Sequence, residues 1–520
     1  MIRATPLLIS SSLFLAATVV AQDAKAPPKS PRLLPGPQRD GAVQLPNHWS
    51  LRPTGRHVEV GDYPVQLVIH PSGKWLAILD AGNSDHEVVV VDVAKHEIVS
   101  RVTIDQAFYG IAFSPDGTRL FASGGEYATV HAFRFAEGFL SDKKTIPLVP
   151  VAERFVCGGL SVSADGKELF AAGTLGDSVV PVALGADVAE APIKTGPDTY
   201  PYGILPVGDR LYVSLWGAAS VAVIDRKTGA INARWKTESH PTEMALSPDG
   251  KTLYVACSNS TKVVSIDVAN GTARETIACS LFPAAPSGNT PCSLALSPDG
   301  ALLFVANADA NNLALVNVSK PGAAVPLGFI PTGWYPTSVR FDAKSKRIFV
   351  ANGKGLGSAP NPLGARPEFK RTLTTEQYIG RLMRGVVSAI PLPEPRQMAE
   401  LSRTARRCSP LRADLAPSAD APANNPIPAK LGDPSPIKHC IYIIKENRTY
   451  DQVFGDDPRG NGDPNLCLFP EKVTPNHHKL VREFVLLDNF YCDGEVSADG
   501  HEWTMGAYAT DYVEKVWPLT

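Results

Sequence analysis

Ser247-Pro248-Asp249-Gly250-Lys251-Thr252-Leu253-Tyr254-Val255-Ala256 reads as a tight turn running into a buried strand, and the chain repeats it. Proline presets φ at the second turn position and glycine at the fourth is free to go left-handed, which suits a type I turn. The turn recurs at Ser114-Pro115-Asp116-Gly117, Ser163-Ala164-Asp165-Gly166 and Ser297-Pro298-Asp299-Gly300. Reduced forms stand at Pro71-Ser72-Gly73, Val207-Gly208-Asp209 and Asp342-Ala343-Lys344-Ser345. An apolar strand follows each turn, as in Leu120-Phe121-Ala122, Leu211-Tyr212-Val213, Leu303-Phe304-Val305 and Ile348-Phe349-Val350. A further strand comes after it, such as Val88 to Asp92, Val263 to Asp267 or Leu313 to Asn317. Units of about 40 to 50 residues, each a small antiparallel sheet, are the repeat of a β-propeller. Seven copies predict a mainly β fold with seven blades over residues 56–391.

The strands Leu253-Tyr254-Val255-Ala256 and Leu303-Phe304-Val305-Ala306-Asn307 resemble those of the YVTN family of bacterial secreted propellers, and the Gly-His and Trp-Asp landmarks of WD40 repeats are missing. Gly385 to Ile390 reads as the closing strand, with an insertion over 356–384 leaving the last blade. A propeller scaffold does not name its ligand. Tyr63-Pro64, Tyr109-Gly110, Tyr202-Gly203, His240-Pro241 and Trp334-Tyr335-Pro336 precede the inner strands and are expected at one mouth of the channel. They serve there either as packing and turn residues or as the rim of a site for an unknown ligand.

The bulk numbers fit this picture. The 520 residues leave room for two or three domains, and 44% apolar with 20% charged residues is globular rather than disordered. With 46 prolines and 42 glycines the chain favours turns and short strands. A net charge of −2 gives no broad attraction to nucleic acid, so no nucleic-acid partner is expected. Arg3, the apolar stretch Leu7 to Val20 and the small-residue site Val19-Val20-Ala21 read as a secretory signal over residues 1–21. That implies a periplasmic or extracellular protein with no membrane span once the signal is cleaved. A linker is expected over 22–55. An oxidising compartment permits disulfides among the eight cysteines, and Cys279 with Cys292 is a candidate pair.

Pro, Ala, Arg and Ser dominate residues 392–435, read as a linker with a short helix from Ala399 to Arg407 and a tether from Ala416 to Pro428. A new domain is expected over 436–520. Ile437 to Lys445 reads as a buried strand ending in Glu446-Asn447. Thr474-Pro475 fits a helix start, His477 to Phe484 the helix, and Val485 to Tyr491 a second strand. Strand, helix and strand imply a parallel α/β unit. Adjacent residues on a helix diverge, so His477 and His478 are expected on solvated surface.

Ile443-Ile444-Lys445-Glu446-Asn447-Arg448-Thr449-Tyr450-Asp451, with Phe454-Gly455 and Leu487-Asp488-Asn489-Phe490-Tyr491, resembles the bacterial phosphoesterase family. That family contains phospholipases C and acid phosphatases of the alkaline phosphatase superfamily, and the subgroup fused behind YVTN propellers is the most similar. The resemblance implies the N-terminal part of an α/β alkaline-phosphatase-like domain that acts on phosphate esters. Glu446 and Asn447 would hold a divalent metal ion, whose identity the sequence leaves open. Gly494 to Trp503 would be the nucleophile segment, with Ser497 as nucleophile and His501 reaching a phosphate oxygen or the leaving group. Hard oxygen donors and a hydroxyl at a helix start suit that chemistry. Read without the family, Glu446-Asn447 would cap a turn and Ser497 a helix. The family's remaining ligands, an Asp pair, have no counterpart before Thr520, so the domain is expected to be incomplete, and the alternative is a propeller binding protein carrying an inactive remnant.

Overall fold

A computed structural model of the chain describes residues 34–150, 152–283, 285–357, 359–361, 378–411, 425–428 and 432–519. The expected signal segment lies outside the described residues, as do 362–377 of the insertion and 412–424 of the linker.

The repeated turns form as read. Gly117, Gly166, Gly250 and Gly300 have φ of 74°, 69°, 71° and 69°. The turn aspartate closes each one: Ser114, Ser163 and Ser247 donate to Asp116, Asp165 and Asp249 at 2.6 Å. These hydroxyls hold the three carboxyls below their ordinary pKa. The strand after the turn is buried along its whole length, as at Thr252–Cys257. Continuous rather than alternating burial follows from its place in the middle of a sheet that is packed on both faces.

Seven antiparallel sheets follow one another along the chain, six of four strands and one of five. Their first strands neighbour one another in a closed ring. They surround a cavity of about 620 Å³ to which all seven contribute, among them Gln66, Tyr109, Gly159, Gly203, Glu243, Leu294 and Arg340. The protein is therefore a mainly β, seven-bladed propeller. Small residues allow the inner strands to approach: a Cβ on Gly159 would lie 2.3 Å from the Tyr202 carbonyl oxygen.

The ring closes differently from the reading of Gly385 to Ile390 as its last strand. Val386–Pro391 is the third strand of the seventh sheet, and Arg56–Glu59 pairs outside it, with Val58 opposite Val387. Joining the two ends of the propeller in one sheet ties the first and last blades together and holds the ring closed. The linker helix runs over Pro395–Cys408, longer than read from sequence, with Gln397 accepting from the Glu394 N–H at 3.0 Å. It is pinned to the sixth blade by Ser402, which accepts from the Phe329 N–H at 2.9 Å.

The chain divides into two compact units. The smaller contains Lys445–Phe490, with helices Tyr450–Phe454 and Pro475–Glu483. Thr474 sits at the N-cap of the second, with Pro475 in its first turn as expected. The larger contains the propeller together with Tyr491–Thr520. Among the described residues, neither Ile437 to Lys445 nor Val485 to Tyr491 forms a strand. Ile441 and Ile443 are 87% and 74% exposed. An apolar run signals a strand only when a neighbour offers an edge, and here none pairs with it. His478 is buried, with Nε2 3.0 Å from Asp456, against the expectation of a solvated residue. All eight cysteines are free thiols, so the expected Cys279–Cys292 bridge is not formed. Burial pushes both thiols up to about 12. No helix among the described residues is long and apolar enough to cross a membrane.

Candidate functional site

The residues ahead of the inner strands gather as expected; Tyr63, Tyr109, Tyr202, Trp334 and Tyr335 are buried and His240 is half-buried. The Tyr63 and Tyr335 rings lie 6.2 Å apart, those of Tyr109 and Tyr202 4.9 Å apart, and Trp216 stacks 3.8 Å from His240. Tyr63, His240, Thr290 and Tyr335 each precede a proline and have φ of 59°, 55°, 53° and 59°. Left-handed backbone without glycine costs free energy and is retained where surrounding structure enforces it. Strain is thus collected at one mouth of the propeller.

That mouth is filled by the chain's own C-terminal segment, Tyr491–Thr520, here called the strap. Its helices are Ser497–Gly506 and Asp511–Val516. Lys354, at the end of the second strand of the seventh blade, places its ammonium 2.9 Å from Glu495 and 2.8 Å from Glu514. The same ammonium lies 5.5 Å from the Trp334 ring and 5.0 Å from that of Tyr335. On the other side of the mouth, Asp511 accepts from Trp216 Nε1 at 3.0 Å and from the Ser258 hydroxyl at 2.8 Å. Lys515 pairs with Asp511 at 3.2 Å and lies 5.5 Å from both the Tyr109 and Tyr202 rings. Tyr508 donates to the Ser258 carbonyl at 2.9 Å.

Burial raises the Glu495 carboxyl well above its ordinary value, Lys354 opposing it and Glu514 adding to it. Asp309, which accepts from the Thr290 hydroxyl at 2.5 Å, is pushed up to about 7 by burial and by Glu514. Burial works against the charge on Lys354, but Glu495 and Glu514 outweigh it and hold its pKa above the usual lysine value. For Asp511 the same opposition ends the other way, with Lys515, Trp216 and Ser258 keeping the carboxyl below its usual range.

Glu495, Asp499 and Glu514 bring carboxylate oxygens within 4.8 Å of one another, a spacing that a metal ion could bridge. The cluster already has partners from the protein itself. Lys354 sits on two of its members, and Asp499 accepts the backbone N–H groups of Glu495, Val496 and Gly500 at 2.7, 2.9 and 3.0 Å. The sequence analysis missed Lys354 and Asp309, which follow strands read only as repeats. Both stand three residues past the strand alanine, Ala351 and Ala306, where the fifth blade has Asn259 after Ala256. A charge at one repeat position was the available signal.

The residues expected from the phosphoesterase motif fall in the two units. In the smaller unit, Glu446 and Asn447 are exposed, and Asn447 Nδ2 donates to Glu446 Oε1. Asn447 is left-handed at φ 64°. Neither caps the following helix, since that place belongs to Thr449, whose N–H donates to Gln452. In the larger unit, Ser497 is the first residue of its helix rather than its cap, and it is exposed. His501 Nδ1 lies 2.7 Å from the Ser497 carbonyl oxygen. A carbonyl only accepts, so Nδ1 carries the proton and Nε2 of the neutral ring is the basic nitrogen. Asp499 ties down the backbone just ahead of Ser497.

Seven stacked sheets around a lined channel place the chain among the β-propellers. A family model described as "Lactonase, 7-bladed beta-propeller" matches residues 234–355, which take in the fifth and sixth blades and the first two strands of the seventh. No curated protein matches the chain. Among solved structures, Hydrazine Synthase from Kuenenia stuttgartiensis is similar at 20% identity and a TM-score of 0.49, over 57% of this chain and 95% of that one.

Proposed function

We propose that the chain is a secreted metal-dependent phosphoesterase whose propeller serves as a binding scaffold. The observation that carries this reading is Glu446 beside Asn447. A carboxylate and an amide are in contact on an exposed segment, with Asn447 in a left-handed conformation that helix capping does not require. Both are hard donors, suited to part of the oxygen shell of a divalent cation, with water completing it. A cation bound there stabilises negative charge on a phosphoryl oxygen.

Ser497 is the proposed nucleophile. It stands first in a ten-residue helix, and the N-terminal end of a helix favours negative charge. Its oxygen bonds to phosphorus as the ester bond to the leaving alcohol breaks, and water then releases phosphate and restores the serine. His501 Nε2 takes the serine proton or passes one to the departing oxygen.

Incubated with an aryl phosphate and Mn²⁺ or Zn²⁺, the chain is expected to release the phenol, and Ser497→Ala to slow release at least about a thousandfold. Full activity in Ser497→Ala would remove the nucleophile assignment. A second reading, a propeller binding protein without turnover, is favoured by the strap lying in the mouth. Absence of phenol release with every divalent ion tried would select it.

A further inference from the structure

We propose that the mouth of the propeller is a receptor for acidic helical peptide, with Lys354 as its reader and the strap Tyr491–Thr520 as an exchangeable resident ligand. The strap contains Ser497, but the inference rests on Lys354, Glu495 and Glu514 and on no step of phosphoester chemistry.

Lys354 is buried, and the two carboxylates on its ammonium, Glu495 and Glu514, both come from the strap. The converse holds for Lys515: strap and propeller enclose it, Asp511 from the first, Tyr109 and Tyr202 from the second. Buried ion pairs add little net stability, because desolvation offsets most of the attraction. What they impose is a demand for matched charge, which is how interfaces select partners. A domain core would more economically use apolar side chains here.

The fit also leaves polar groups over. The hydroxyls of Tyr63, Tyr109 and Tyr335 are buried with no hydrogen-bond partner among the described residues. Buried hydroxyls in a dry core are almost always paired, whereas wet, exchangeable interfaces leave such groups to water. The left-handed backbone at Tyr63, His240, Thr290 and Tyr335 falls on the same rim. The pattern recognised is a helix with an acid, a second acid three residues on and a lysine directly after it, as in Asp511, Glu514 and Lys515, together with a more distant carboxylate, Glu495.

The test uses the full chain with a protease site inserted after Phe490, whose side chain is 76% exposed. After cleavage, a fluorescent synthetic peptide of residues 491–520 is added and its uptake followed by anisotropy. The labelled peptide is expected to replace the resident strap. A peptide carrying Glu495→Gln and Glu514→Gln should bind at least tenfold more weakly, and changing only the peptide leaves the folding of the propeller untouched. The proposal is overturned if the labelled peptide never enters, whether the cleaved strap stays or leaves, or if the double variant binds as tightly as the native sequence.

Discussion

Lys354→Met is expected to release residues 491–520 from the propeller at neutral pH while leaving the blades folded. The substitution keeps the stem of the side chain and removes the charge, so Glu495 and Glu514 are left buried against Trp334 and Tyr335 without their cation. Removing one member of a buried ion pair costs about 3–5 kcal/mol, more than the pair itself contributes, because the other charge is stranded. The loss has a definite pH dependence. Burial already raises the Glu495 carboxyl above its ordinary value of 4.5, and loss of Lys354, which opposes that rise, raises it further. A carboxyl whose docked pKa is raised favours the protonated, docked state. The penalty is therefore absent below the ordinary value and grows as pH rises from it towards the docked value. Hydrogen exchange across the strap should show near-native protection in Lys354→Met at pH 4 and little at pH 7.5. Equal protection at both would mean that Lys354 does not hold the strap.

Gly355→Ala, one residue on, should destabilise the propeller itself. Gly355 has φ of +77°, and a Cβ there would lie 1.8 Å from the Arg384 carbonyl oxygen and 2.8 Å from its carbon. Both obstacles are backbone, so no side chain can turn aside. Left-handed strain of about 1–2 kcal/mol adds to overpacking of about 1–3 kcal/mol. The shift must also be absorbed where Val386–Pro391 pairs with the strand ending in Gly355, next to the closure with Arg56–Glu59. A lowered midpoint in chemical denaturation, with the strap released at lower denaturant than the blades, is expected. An unchanged midpoint would show that the Arg384 segment moves without cost.

The propeller was legible because its signal is local and repeated. Ser-Pro-Asp-Gly fixes a turn through its own φ preferences and the Ser-to-Asp hydrogen bond, and the apolar strand after it needs only two packed faces. The outer strands were not legible. Glu97–Thr103 and Ile231–Lys236 are mostly exposed or half-buried and mix charges with apolar residues, and the seventh blade borrows four residues from the start of the chain. The C-terminal reading failed where it relied on periodicity alone: Ile441 to Ile444 has the composition of a buried strand, but strand identity lies in the partner. The mouth was legible as a gathering of aromatic residues. Its occupant was not, because Asp511, Glu514 and Lys515 are charged residues whose burial only the tertiary structure reveals. For the phosphoester site, resemblance supplied the residues, and the structure adds that Thr449 and not Asn447 caps the helix, and that His501 Nδ1 faces the Ser497 carbonyl oxygen.

The claim that Glu446 and Asn447 form a metal site for phosphoester hydrolysis is tested most directly by Mn²⁺ titration, read as water-proton relaxation. The account predicts an ion held by the native chain, with affinity reduced on the order of tenfold or more in Glu446→Gln, since a neutral amide replaces the only charged donor. Mn²⁺ binding that is undetectable in the native chain, or unchanged by Glu446→Gln, would contradict it.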